Sequence, residues 1–303
     1  MAASNVTFER VAEPQRGATR AGITRASRFY WVRLLAENKS ALASVLFLLL
    51  VVALALLVPL VSPYGAKKVD PLNRLHPPSG AHWMGTDDLG RDVLTRIFYG
   101  ARVSLLVGVS VMVAAALVGA FLGLVAAYYR RCDSVIMRIM DGLMAFPSIL
   151  LAIAIMASLG PKTGNVIVAL FIVYTPLIAR LVRGTALATK QQPYVESARA
   201  IGARDHLILR RYIFPNSLSP LIVQCTFIVA AAILAEASLS FLGAGVPPEI
   251  PTWGNMLRIG QREIFKDQWL LVFPSVLLFL TILALNILGD GLRDALDPRA
   301  HDR

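Results

Sequence analysis

The sequence predicts an all-α membrane protein that crosses the bilayer six times, and three observations carry that prediction. Of the 303 residues 56% are apolar and only 16% charged, a balance outside that of ordinary soluble domains. The apolar residues gather into six runs long enough, or nearly so, to cross a hydrocarbon core of roughly 30 Å, where a backbone must satisfy its own hydrogen bonds. The basic residues are scattered through the short segments between those runs. A formal charge of +11 spread in this way reads as a topology signal and not as a nucleic-acid-binding face.

Residues 1–40 read as a cytoplasmic tail, Ala, Arg and Thr rich up to residue 26, followed over 27–38 by an interfacial helix that mixes Phe29, Tyr30, Trp31, Leu34 and Leu35 with Arg28 and Arg33. The first span is 41–61, too long for the apolar core of a cleaved leader, so it is expected to stay in the membrane. Residues 62–102 form an extracytoplasmic loop. A core domain over 103–290 holds the other five spans: 103–127, 142–159, 165–179, 220–242 and 270–288. Pro147, Pro176 and Pro274 lie inside spans, where they predict kinks. Residues 291–303 form a C-terminal tail.

With the N-terminus in the cytoplasm, 20 of the 30 Lys and Arg residues fall on the inner side, which favours both termini inside. Gly119 and Gly123, with Ala115 one turn earlier, make a small-residue stripe that serves either packing within the chain or a subunit interface. Cys132 and Cys225 read as free thiols.

The most informative stretch is the cytoplasmic connection over 185–219. Pro193 suits a first helical turn, Tyr194, Ala198 and Ile201 recur at helical spacing, and Gly202 stands where a C-terminal cap is wanted. Asp205 can cap a second helix, which is expected to end before Pro215 because proline disfavours helical geometry in the residue before it. An apolar face outside the bilayer calls for a membrane surface or the groove of a soluble partner.

Glu196-Ser197-Ala198, Gly202 and Pro215 resemble, in residue type and interval, the EAA loop of ABC importer permeases. Ser197 replaces the family's second Ala, and Tyr212 and Phe214 replace aliphatic residues. Three further stretches resemble the C-type transmembrane subunit of the dipeptide and oligopeptide (and nickel) permease family. They are His82 to Asp92, continuing through Arg96, Tyr99, Gly100, Arg102 and Ser104; Glu236 to Gly243 with Pro251 to Met256; and Leu288 to Pro298.

The resemblance implies the type I ABC importer permease fold in the inner membrane of a bacterium. It implies a homologous second permease subunit, two cytoplasmic ATPase subunits and an extracytoplasmic peptide-binding protein as partners. Tyr194, Glu196, Ser197, Ala198, Ile201, Gly202 and Pro215 would then meet the ATPase. ATP would be hydrolysed elsewhere, consistent with a sequence that has no phosphate-loop spacing; Gly160-Pro161-Lys162-Thr163-Gly164 has the composition alone. No catalytic residue, cofactor, metal or nucleic acid is expected, and the other partner is membrane lipid.

On the outer side Asp87, Asp88, Arg91, Asp92 and Arg96 form a dense charge cluster, read first as internal ion pairs and helix capping, and secondly as the mouth of the pathway or a contact for the binding protein. Glu236, with Ser240 one turn on, is an ionisable group at membrane depth, hence a functional candidate or a buried packing residue between subunits. Trp253, among Pro247, Pro248 and Pro251, reads as an interfacial anchor or part of a short segment near an outer gate. The rival functions are the same architecture carrying nickel or another small solute, a secondary transporter, for which internal repeats are wanting, and a scaffold that transports nothing.

Overall fold

The computed structural model describes residues 38–296, so the tail and interfacial helix expected before residue 38, and Asp297 and Pro298 of the last motif, lie outside the described residues. Among the described residues ten α-helices follow in order: α1 Lys39–Val61, α2 Val93–Tyr128, α3 Arg130–Met144, α4 Ser148–Leu159, α5 Thr163–Lys190, α6 Pro193–Ala200, α7 Asp205–Ile208, α8 Phe214–Leu242, α9 Trp253–Arg262 and α10 Trp269–Leu296. Five stretches are long and apolar enough to cross a membrane, namely α1, α2, α5, the run Asp205–Leu242 and α10; α3 with α4 makes a sixth if the bent pair counts as one span.

Helix α2 begins ten residues before the apolar run that announced it. Asp92 caps it, its Oδ2 accepting from Thr95 N at 2.8 Å, so the helix starts in the outer loop and the segment expected as loop up to residue 102 ends at Asp92. Arg102, which set the sequence boundary, is accommodated by donating to the Ala55 and Leu56 carbonyls of α1 at 2.8 and 2.9 Å. Helix α5 likewise runs on past the span expected over 165–179 to Lys190, with Pro176 inside it.

The third span is not a kinked helix. Helix α3 ends at Met144, α4 starts at Ser148, and the two are bent by 94° at the break. Pro147 occupies the cap position of α4, and a proline there disfavours helical geometry in the preceding Phe146, which turns an expected kink into a break. With 12 residues, α4 is about 18 Å long and does not cross the core alone.

Helices α2 and α5 form the most extensive pair. Gly119 and Gly123 sit at that seam: a Cβ on Gly119 would stand 2.8 Å from Ile178 Cβ, and one on Gly123 2.5 Å from the Ala179 carbonyl oxygen. The small-residue stripe therefore serves packing within the chain. Gly123→Leu is expected to lower stability by about 1–3 kcal/mol through overpacking, read as a lower thermal midpoint in detergent. Gly142→Leu, whose Cβ meets nothing within 4 Å, should leave the midpoint nearly unchanged. Equal midpoints would contradict the close approach of α2 and α5.

Candidate functional site

The helical unit over 190–217 is built on a small apolar core of Ala127, Ala186, Val195, Ile208 and Ile213. Helix α6 opens with Pro193 at its first turn and buries Val195 and Ala198, one turn apart. The buried face is thus Val195 with Ala198. The face predicted from Tyr194, Ala198 and Ile201 is split, because Tyr194 is half exposed and Ile201 is 85% exposed at the tip.

Gly202 ends α6 at φ +80, and its amide donates to Arg199 O at 3.0 Å while Ala203 N donates to Ala198 O at 3.0 Å. These two bonds are the reciprocal pair of a Schellman cap, which requires the left-handed conformation that glycine adopts without strain. Glu196 and Ser197 face outward, and Ser197 Oγ donates back to Pro193 O at 2.9 Å. Tyr194 lies against Tyr212, ring centroids 6.2 Å apart, and accepts a bond from Asn216 Nδ2 at 3.3 Å.

Two expectations about the second helix change. Asp205 is the first residue of α7 and not its cap; its carboxylate accepts a short hydrogen bond from Tyr128 OH at the end of α2. Nor does the helix stop before Pro215. Residues Leu209–Ile213 form a π-turn in which Phe214 N reaches back to Leu209 O, and Pro215 falls in the first turn of α8. The wider turn absorbs the register lost to a residue without an N–H, so α7, the π-turn and α8 form one continuous helical run. The second helix of the hook and the fifth span are one helical piece.

Side chains from distant positions anchor this unit. Lys190 Nζ donates to the Ala127 and Tyr128 carbonyls at 3.2 and 3.3 Å, completing the C-terminus of α2, and sits over the Tyr128 ring. Arg183 holds Asp133 of α3 with two bonds, of 2.5 and 2.7 Å, and Arg180 holds Asp141 at 2.7 Å. Sequence spacing carries no sign of these pairs, whose members lie 39 to 63 positions apart.

At the other end of α2, Asp87 is the hub of the loop between α1 and α2. Its Oδ1 accepts from Leu89 N and Arg91 N, both at 2.9 Å; its Oδ2 accepts from Arg91 Nε at 2.7 Å and lies 3.2 Å from Arg96 Nε. Asp87, Arg91, Asp92 and Arg96 are all buried, while Asp88 is partly open and only 3.4 Å from Arg91. Arg96 also donates to Ala66 O at 2.9 Å, and His82 Nδ1 lies 2.9 Å from Asp92 Oδ1. Nearby, a hydrogen bond from Asn73 holds the Asp70 carboxyl below its ordinary range. Asp87 thus pairs with Arg91 and Arg96, Asp92 caps α2 and meets His82, and Arg96 Nε and Nη2 are buried without a hydrogen bond.

Glu236 on α8 is fully buried, with Oε2 accepting from Ser104 Oγ and Oε1 from Ser240 Oγ, both at 2.8 Å. Its side chain thus clasps α2 within the same chain instead of bridging subunits. Trp253 is fully buried too, and its indole N–H donates to Ile97 O at 3.2 Å, so it locks α9 to α2 and is not an interfacial anchor. Asn255 Nδ2 donates to the Val246, Pro247 and Ile250 carbonyls, each at 3.1 Å, and so organises the loop between α8 and α9. The two motif stretches around Glu236 and Trp253 are one packed unit.

A bundle of long apolar helices, an ion-paired loop ahead of α2 and a compact helical hook continuous with a span define a multi-pass membrane protein of the permease kind. The comparisons agree. Residues 119–302 match the model of the binding-protein-dependent transport system inner membrane component, and residues 30–78 that of the N-terminal transmembrane domain of oligopeptide transport permease C. The chain belongs to the binding-protein-dependent transport system inner membrane component family.

It is 46% identical over 274 residues to the glutathione transport system permease protein GsiD of Pectobacterium atrosepticum, covering 90% of this chain and 91% of that one. It is 44% identical over 266 residues to the dipeptide transport system permease protein DppC of Alkalihalophilus pseudofirmus, covering 88% of each. Among solved structures it resembles the MetNI methionine ABC transporter in an inward-facing conformation (TM-score 0.56, 19% identity, 68% of this chain and 96% of that chain). It also resembles an amino acid ABC transporter solved with histidines (TM-score 0.54, 16% identity, 65% and 92%). The fold is that of ABC importer permeases, and the chain is a multi-pass bacterial membrane protein.

Proposed function

We propose that this chain forms half of the translocation pathway of an importer for dipeptides and comparably short peptides. It pairs with a homologous permease subunit, takes cargo from an extracytoplasmic binding protein, and is driven by two cytoplasmic ATPases. Both termini face the cytoplasm. The relatives named for glutathione and dipeptides support peptides over nickel as cargo.

The observation that carries the reading is the continuity of α7, the π-turn and α8 beneath the exposed tip at Ile201. A partner that grips the tip moves a rigid element seated in the bilayer, which is how a hydrolysis cycle outside the membrane reaches a path inside it. Tyr194, Glu196, Ser197 and Ile201 supply the gripped surface; Ala198, Gly202 and Pro215 supply its shape.

The test is purification of the tagged chain from native membranes together with uptake of labelled dialanine. An ATPase should co-purify, and Glu196→Ala should reduce uptake roughly five- to tenfold while ATP hydrolysis continues, as expected for loss of a contact worth about 1–1.4 kcal/mol. A chain that purifies without any ATPase and imports dialanine unaided would sink the proposal.

A further inference from the structure

The break between α3 and α4 falls at the N-terminal end of a helix too short to cross a hydrocarbon core by itself. Ser148 is eleven residues from the other end of α4 at Leu159, about 16 Å along the helix axis, against a hydrocarbon core roughly 30 Å thick. Ala145, Phe146, Pro147 and Ser148 are all exposed there. Helix α4 has no capping side chain at this end. Broken backbone at membrane depth is tolerated only where protein buries it or water reaches it.

A groove of about 330 Å³ opens at the same level. Ser148, Tyr174 of α5 and Ser238 of α8 place three hydroxyls on its wall, among Leu170, Leu234 and Ala235. Tyr174 OH donates to Ala231 O at 3.1 Å and Ser238 Oγ to Leu234 O at 2.8 Å, which leaves both oxygens free to accept from a molecule in the groove. Leu150, two positions along α4 and so on its opposite side, is 58% exposed and has the apolar character of a lipid-facing residue.

We propose that this groove lines the aqueous path along which the subunit passes its substrate, with Ser148 and Ser238 at its wall. The inference rests on the transport reading above and specifies which surface of the chain the peptide meets. The groove chemistry suits a peptide backbone, whose N–H and carbonyl groups exchange water for hydroxyls of either polarity. A wall that carried charges instead would hold some peptides and repel others.

The test uses the intact importer in native membrane vesicles of both orientations, with Cys132→Ser and Cys225→Ala removing the native thiols. Ser148→Cys, Ser238→Cys and Leu150→Cys are each treated with a charged, membrane-impermeant methanethiosulfonate. Positions 148 and 238 are expected to react at least tenfold faster than 150 from one side or the other. They should slow when dialanine and the binding protein keep the importer turning over.

Rates at 148 and 238 no faster than at 150, with and without ATP, would overturn the inference, since a dry groove is one filled by the second subunit or by lipid. So would fast rates indifferent to dialanine. Uptake of dialanine by the same vesicles separates the two readings: a chain that imports with a dry groove loses only this inference, whereas a parent chain that imports nothing loses the transport reading.

Discussion

Asp87→Ala is expected to leave little folded chain in the membrane. The substitution removes the acceptor of Arg91 Nε at 2.7 Å and the partner of Arg96 at 3.2 Å, and both guanidinium groups are buried. It also frees the amides of Leu89 and Arg91, which hold the turn ahead of α2. Leaving buried charge without its partner costs about 3–5 kcal/mol, a large fraction of the roughly 5–15 kcal/mol by which folded domains are stable.

The neighbouring Asp88→Ala is the control, because its carboxylate is 32% exposed and only 3.4 Å from Arg91. A surface pair of that kind is worth about 0–1 kcal/mol. Chain levels in the membrane and thermal midpoints in detergent should fall for the first variant and hold for the second. Equal loss, or none, in the two variants would show that the outer loop is not organised around Asp87.

Gly202→Val should abolish transport while sparing the chain itself. A Cβ at position 202 meets nothing within 4 Å, so space is not the obstacle; φ +80 is. The left-handed conformation costs about 1–2 kcal/mol for a residue with a Cβ, and a β-branched side chain relieves it by unwinding the cap, which reorients the exposed tip at Ile201. Uptake of labelled dialanine is expected to fall at least tenfold at normal chain levels. Gly202→Asn, a residue that tolerates this conformation, should keep most of it. Equal uptake by the Val and Asn variants would mean that the turn geometry carries no force.

Much of the site was legible because its signals are local. Pro193 at a first turn and Gly202 at a cap act within one or two turns of chain, and both stand where the sequence pattern placed them. The charge cluster around Asp87 was legible for the same reason, its partners lying four to nine positions apart. Where reasoning from the sequence erred, a longer-range term overrode a local rule. Asp205 looked like a cap but met Tyr128, 77 positions away. Trp253 looked like an interfacial anchor until α2 supplied the Ile97 carbonyl, whereas Pro215 was absorbed locally, by the π-turn directly before it.

The sequence by itself determined that this is a helical membrane protein with a short helical hook between two spans, since hydrophobic length, cap residues and proline positions act through the nearest turns of backbone. Tertiary structure alone decided three other matters: that the glycine stripe packs α2 on α5, that Glu236 clasps Ser104 132 positions away, and that Tyr174 and Ser238 face the break after α3 across a hydroxyl-lined groove. Each depends on which helix faces which across the bundle. In lipid that choice follows from shape and hydrogen-bond complementarity between distant segments, because every candidate face is equally apolar.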